Sequence, residues 1–319
     1  MYIEIVTTPN STLKETGFGS SQACDSVMQS LLYSNHNAIV SVCVNAADLD
    51  AVIARKPDLI LAVVKYILLE GGQQLWLSDY FDSHGGNYTG SKRNVLSYDS
   101  NKASAKTMVA SKGIDTAEFF VTIPGEYKNE QELPLPFPLF IKPTDAANGN
   151  GVDLNSLVYD FEHFKEKVNN LYNEYAQPVL VEEYLDGKEF TVAIIEGHEK
   201  LIVAAIEIIP PEEGGLRILG AKVKTRNTEI LQVIADPAIL LKVTDIAEKS
   251  FRALGVRDFG RIDIKMDNHG NCHFIEANLV PGMNKGSSYF PQAYAMNNSL
   301  DYNEVVQHMI QGGTARRVN

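Results

Sequence analysis

Cysteine is scarce in this sequence, and clusters of basic residues are missing. Cys24, Cys43 and Cys272 lie far apart and form no CxxC pair, which excludes a zinc knuckle or a disulfide framework and fits a reducing compartment. No stretch reaches the lysine and arginine density of a nucleic-acid surface, and the net charge of −12 argues further against that partner. The longest apolar run, "LILAVVKYILL" at 59–69, is interrupted by Lys65 and too short to cross a bilayer. The opening "MYIEIVTTPN" has no basic leader and carries Glu4 in its first apolar run, so a secretory signal is not expected and a cytosolic location is. There is no phosphate loop ending in GKS/T, no internal repeat and no low-complexity tract.

What remains is ordinary globular composition. With 45% apolar and 21% charged residues over 319 positions, the chain can bury the cores of two or three domains. The first ninety residues alternate as "YIEIVTT" (strand), "SSQACDSVMQSLLYS" (helix), "AIVSVCV" (strand), "AADLDAVIARK" (helix) and "DLILAVV" (strand). This is a βαβ pattern, in which a ligand site lies beyond the carboxyl ends of parallel strands. "HGGNYTGS" at 84–91 breaks the pattern, and "SNKASAKTMVASKG" then reads as a helix capped by Ser100 or Asn101 and stopped by Gly113. "PLFIKP" and "PVLVEEYL" read as strands flanking a helix with Phe161, Phe164, Val168 and Leu171 on one face. "KEFTVAIIEG" and "KLIVAAIEIIP" add antiparallel pairs, and a helix runs from the N-cap Asp236 to Gly255. The expected fold class is α/β followed by α+β, divided at 1–92, 93–188 and 189–319.

The stretch "GRIDIKMDNHGNCHFIEANLVPGM" at 260–283 places acids inside an apolar hairpin. Alternation puts Arg261 and Asp263 on one face of the first strand, and Glu276 and Asn278 on one face of the second. If "NHGN" at 268–271 is a four-residue turn, Asp263 opposes Glu276 and Arg261 opposes Asn278. Opposed carboxylates repel unless a proton or cation lies between them. Oxygen-only ligands favour a hard ion such as Mg²⁺ or Mn²⁺, which also binds phosphates. A solvated polar face explains the same residues equally well. Upstream, "FIKPTDAANGNGVDL" sets Lys142 at a strand end before a turn containing Gly149 and Gly151, where backbone N–H groups can approach phosphate. "VLVEEYLDGKEFTV" breaks at Glu182 and Glu183 and resumes after Glu189, where a strand edge can meet a base and a carboxylate can accept from ribose. Each of these is also an ordinary turn when taken singly.

In order, Lys102 at a helix start, Lys142 before its glycine loop, the acids at 182–189 and the hairpin resemble the ATP-grasp superfamily, most closely the D-alanyl-D-alanine ligase family. "GRID…FIEANLVPGM" is the most specific segment, with "YTGS", "LVEEYLDGKEFTVAI" and "LKETGFGS" in support. The resemblance implies an ATP-grasp fold with a Rossmann-like first domain, and an ATP-dependent amide ligase acting through an acyl phosphate. It implies that Lys102, Lys142 and Lys222 meet the nucleotide and that Asn148, Gly149 and Gly151 form its phosphate loop. Glu182 and the backbone from Glu183 to Leu185 would bind adenine, and Glu189 the ribose. Asp263, Glu276 and Asn278 would hold two Mg²⁺ ions. Arg261 and the Gly282 backbone would stabilise the transferring group. Glu15 would bind the first amino acid, and Ser287 or Ser288 the carboxylate of the second. A homodimer is also implied, with no nucleic acid or membrane partner.

Three departures concern the substrates rather than ATP. The family's Gly-Ser-Ser is Ala147-Asn148-Gly149 here, its tyrosine after "AK" is Val223, and "VKYILLEGGQQ" replaces a first-domain "HG…GEDG". Val223 in place of a tyrosine implies a pocket shared with Glu15, Asn148 and Ser287 that accepts a bulkier or less polar donor. Other amino acids, or a larger donor, are thus alternatives to D-alanine. A nucleotide-binding regulator without catalysis and a metal-dependent hydrolase are readings of other classes.

Overall fold

In the computed structural model, which describes residues 1–13 and 18–318, the expected alternation opens the chain. Strands β1 (Tyr2–Thr7), β2 (Asn37–Val42) and β3 (Leu59–Ala62) are parallel in the order β2-β1-β3, crossed over by helices α1 (Ser21–Tyr33) and α2 (Ala46–Ala54). Both helices begin at side-chain caps: Ser20 accepts from the Ala23 N–H, and Asn45 forms a reciprocal box with Asp48. The segment "VKYILLEGGQQ" is a short hairpin, β4 (Tyr66–Leu68) and β5 (Gln74–Trp76), running into α3 (Leu77–Ser83).

After α4 (Arg93–Leu96) and α5 (Lys102–Ala110), capped by Asn101, comes a four-stranded antiparallel sheet. It is built from β6 (Phe119–Thr122), β7 (Leu139–Pro143), β8 (Leu157–Val158) and β9 (Val179–Glu183), in the order β6-β9-β7-β8. Helix α6 (Phe161–Tyr175) covers one face, burying Phe164, Val168 and Leu171 as its periodicity requires.

The largest sheet has the order β14-β11-β10-β15-β16. Its strands are β10 (Glu189–Glu196), β11 (Leu201–Ile209), β14 (Ile230–Val233), β15 (Phe259–Met266) and β16 (Cys272–Asn278). A small pair, β12 (Glu212–Glu213) and β13 (Leu216–Arg217), and the helix α7 (Ala221–Arg226) interrupt the run before β14. Helix α8 (Pro237–Leu254) packs across one face, with Asp236 capping its start and Gly255 at φ 72° ending it. Helices α9 (Tyr289–Met296) and α10 (Tyr302–Val318) cover the other face, and α10 also lies against α1 and β3. One buried core therefore runs from the parallel sheet through Phe259 and Phe290 to the large sheet. Among the described residues no helix is long and apolar enough to cross a membrane.

The β15–β16 hairpin corrects the uniform four-residue turn. Near the turn the partners are Met266 with Cys272, Lys265 with His273 and Ile264 with Phe274; the register then shifts by one, so that Asp263 faces Glu276 and Arg261 faces Asn278. The turn is tighter because Asp267 accepts from the backbone N–H groups of His269 (2.9 Å) and Asn271 (2.8 Å). A β-bulge at Ile275 absorbs the extra residue. The functional pair faces each other as the alternation predicts, but only because the bulge restores the register.

Candidate active site

Asp263 leaves the middle of β15 and is 8% exposed, so it must be satisfied by partners. The Arg261 guanidinium donates to both its oxygens, Nε to Oδ1 and Nη2 to Oδ2, each at 3.1 Å. Thr191 Oγ1, directly opposite on β10, donates to Oδ1 at 2.6 Å, and Asn278 Nδ2 donates to Oδ2 at 3.1 Å. Glu276 lies across the hairpin with Lys102 Nζ at 3.6 Å. Burial alone would raise its carboxyl, but Lys102, Lys224, Lys142 and Arg261 outweigh it and hold the group down at about 2. Glu276 is therefore ionised at neutral pH, and a ring of cations answers it.

The second charged layer is a buried triad. Lys142 Nζ, at the end of β7, lies 2.7 Å from Glu182 Oε2, and Lys106 Nζ of α5 lies 2.6 Å from Oε1. Burial opposes ionisation of Glu182, yet the two lysines keep its carboxyl below its ordinary value; against its own burial, Glu182 and Glu276 hold Lys142 above its ordinary value. Lys106 is fully buried and was not anticipated from the sequence. Its signal is faint: it sits one helical turn after Lys102, facing the same sheet.

Beside these layers is a cleft that Lys102, Lys142, Glu182, Asp263 and Glu276 all line. Its lining combines apolar side chains, Ala117, Phe140, Val152, Leu185, Ile218 and Ile275, with charged ones, Lys102, Lys142, Lys224, Asp263 and Glu276. Tyr184 stacks on Phe140 with centroids 6.3 Å apart. Glu189 lines the cleft and pairs with Lys265, its neighbour in register, at 3.4 Å. The expected backbone edge at 183–185 is partly committed. The Glu183 N–H donates to the Glu118 carbonyl and the Tyr184 N–H to the Pro138 carbonyl, while the Glu183 carboxylate accepts from the Glu118 N–H at 2.9 Å.

The glycine loop bridges the two sheets. Gly149 has φ 72°, and its carbonyl accepts from the Ala221 N–H at the start of α7 at 3.1 Å; a Cβ there would meet the backbone of Ala221 and Gly220 at 3.0 Å. Only glycine allows that approach. Asn148 and Gly149 each line a cavity. Gly151, expected at the phosphates, instead packs against Pro143, where a Cβ would sit 2.5 Å from Cγ.

Beyond the hairpin a second cavity of about 450 Å³ is lined by Asn148, Lys224, Glu229, Arg261, Gly282 and Ser287, among other residues. Both serines line it: Ser287 is exposed, and the Ser288 hydroxyl accepts from the Asn284 N–H at 2.9 Å at the start of α9. Lys224 lines both cavities.

Two expectations on the segment after Gly220 fail. Lys222 is exposed and reaches only Glu213, at 3.7 Å, away from the cleft. Lys224 takes the cleft position, because residues two apart on a helix point about 200° from one another. Val223 does not open a pocket; it packs with Leu219, Ile208 and Tyr289 in a small apolar cluster. Glu15 lies outside the described residues.

The oxygen donors of Asp263, Glu276 and Asn278 suit a hard divalent cation in kind, although among the described residues no group of three or more His, Cys, Asp or Glu gathers as a metal cage. Comparison with known proteins locates the same region. Residues 108–311 match the family described as D-ala D-ala ligase C-terminus. A protein of Sinorhizobium fredii, y4sG, described as uncharacterized, is 29% identical over 223 residues, spanning 66% of this chain and 62% of its own length. A D-alanine--D-alanine ligase of Aquifex aeolicus is also 29% identical, over 70% of this chain and 72% of its own. In fold, the chain resembles the crystal structure of D-alanine--D-alanine ligase from Bacillus anthracis complexed with ATP, with TM-score 0.74 and 22% identity over 100% and 99% of the two chains. It also resembles the VanG D-Ala:D-Ser ligase of Enterococcus faecalis, with TM-score 0.68 and 18% identity over 98% and 99%.

Proposed function

Because the chain belongs to the family described as D-ala D-ala ligase C-terminus, we propose that it joins two amino acids through an amide bond at the cost of ATP, with D-alanine among the candidate substrates. One observation carries this reading. A cleft lined by apolar and charged side chains and a polar cavity meet at the hairpin residues Arg261, Asp263, Glu276 and Asn278, with Lys224 lining both. That arrangement fits a nucleotide on one side and an amino acid on the other, their reacting groups converging on the hairpin. The named relatives and the ATP-bound neighbour in fold support it.

A carboxylate resists attack by an amine until its oxygen becomes a good leaving group. Transfer of a phosphoryl group to that oxygen, with loss of ADP, does this; the amine then forms the C–N bond, and phosphate departs as the amine gives up a proton. Such transfer is chiefly positioning and neutralisation of charge. Lys102, Lys142 and Lys224 supply positive charge in the cleft, and Glu182 fixes Lys142 in place. Arg261, locked on Asp263, faces the second cavity and can bridge to the developing negative charge. Asp263, Glu276 and the amide oxygen of Asn278 would hold Mg²⁺ or Mn²⁺, which when bound neutralises phosphate oxygens. Ser287 would receive the carboxylate of the second amino acid. The three sheets support a division at 1–92, 93–188 and 189–319, with the site between the second and third parts.

The test is phosphate release from ATP with paired D- and L-amino acids. Amine-dependent release with formation of a dipeptide is expected; release with no pair above the level with ATP alone would refute the ligase reading. Glu276→Gln separates catalysis from mere nucleotide binding, since turnover should fall about 10²- to 10³-fold while a non-catalytic regulator would bind its partner as before.

A further inference from the structure

One carboxylate in the second cavity is not used by this chemistry. Glu229 stands just before β14 and lines the cavity together with the hairpin residues Arg261 and Asn278. Its Oε1 accepts from the Tyr289 hydroxyl. Its Oε2 is buried and has no hydrogen-bond partner. A carboxylate oxygen removed from water and left unpaired is costly, and a ligand that donates to it recovers the deficit.

The group is also held in place. The Tyr289 ring is buried, packs against the cluster of Ile208 and Leu219, and lies under the Arg261 guanidinium at 5.4 Å. Burial, reinforced by Glu229 itself, raises the Tyr289 hydroxyl well above its ordinary value, so it stays a proton donor and fixes Oε1. Oε2 is left in a constant position, the condition for reading a substrate group rather than adapting to it. The cavity's cations, Lys224 and Arg261, suit carboxylate and phosphoryl oxygens. Glu229 adds the opposite charge to the same cavity, and among the described residues it makes no ion pair.

We propose that Glu229 is a specificity residue whose free oxygen receives a second amino group on the amino-acid substrate, so that the cavity prefers a diamino acid to an apolar amino acid of the same length. The inference rests on the ligase reading and sharpens its substrate class. A cationic donor satisfies both the buried oxygen and its charge, whereas a hydroxyl satisfies only the first and an alkyl group neither.

The experiment uses the full chain with ATP and magnesium, and compares ornithine with norleucine and 2,4-diaminobutyrate with norvaline, each in both configurations. For at least one configuration, kcat/KM for phosphate release with the diamino acid should exceed that with its apolar counterpart by about 10- to 100-fold, the value of a charged hydrogen bond. Glu229→Gln should erase most of that ratio, and Tyr289→Phe, which frees the carboxylate to rotate, should reduce it less. Equal kcat/KM for both members of each pair, or a preference that survives Glu229→Gln, would overturn the proposal while leaving the ligase reading intact. If no pair releases phosphate, the ligase reading falls first; titration calorimetry of ornithine against norleucine then decides the site itself, and equal affinity rejects it. The wild-type comparison holds even if a variant fails to fold.

Discussion

Glu182 is the residue on which the charged layer turns, since two lysines from different elements meet its two oxygens in a place with almost no water. Removing Glu182 would leave two lysines with uncompensated buried charge, which is far costlier than the pairing was favourable. Glu182→Met should lower stability by about 3–5 kcal/mol, measured as a fall in the urea midpoint, and should weaken nucleotide binding by loosening Lys142. Glu276 gives a pH prediction. Its folded value of about 2 lies below the ordinary 4.5, so the folded state favours the ionised form. The stabilisation it contributes is complete above the ordinary value, declines as pH falls through the interval, and is gone below about 2. Unfolding of the wild type and Glu276→Gln should therefore differ most near neutral pH, and the difference should shrink in acid. A difference that grew in acid would reverse the sign and refute the assignment. At this scale the sequence was partly legible. Asp263 and Glu276 could be paired because strand alternation is a local rule, whereas Lys106 with Glu182 could not, since 76 positions separate them, with β6, β7, β8 and α6 in between.

At the scale of elements, α7 shows why a motif can mislead. "GAKVKT" reads naturally with its first lysine toward the nucleotide, but a single helical turn at 221–226 directs Lys222 to solvent, Val223 to the core and Lys224 to the cleft. Short helices leave little periodicity to find, so neither the helix nor the face was predictable. The comparison of Lys224→Ala with Lys222→Ala is therefore direct. The first should lower kcat/KM by about 10- to 100-fold, as expected for loss of a charge-assisted contact, and the second should change it less than about twofold. The bulge at Ile275 has a related effect, because it lets adjacent residues, Ile275 and Glu276, both line the cleft where strict alternation would allow one. No composition or spacing rule announced it; the turn around Asp267 and the register of Asp263 together required it.

For the molecule as a whole, Asp258 is a junction. Its carboxylate, 1% exposed, accepts from the Gly90 N–H at 2.8 Å and from Arg316 of α10 at 2.6 and 2.8 Å, while the neighbouring Arg257 donates to the Gly90 carbonyl and lies over Tyr88. The "YTGS" segment thus joins the parallel sheet to the large one rather than touching the cleft. Gly312 fits against this junction: a Cβ there would stand 2.3 Å from Asp258 Oδ1. Gly312→Val should cost about 1–3 kcal/mol by overpacking and lower the thermal midpoint, with little change in KM for ATP because the cleft lies elsewhere. The three sheets could be anticipated from their hydrophobic patterns. Their joining could not, since it depends on contacts between residues near 90, 258 and 316.

Helix α10 carries this dependence further. Val305, Val306, Met309 and Ile310 share a core with Ile3, Ile5 and Leu59 of the first sheet. During synthesis, the first βαβ unit emerges more than two hundred residues before the helix that closes its inner face. Until then its apolar strands lack their cover, and a unit made well before α10 is finished only when that helix arrives.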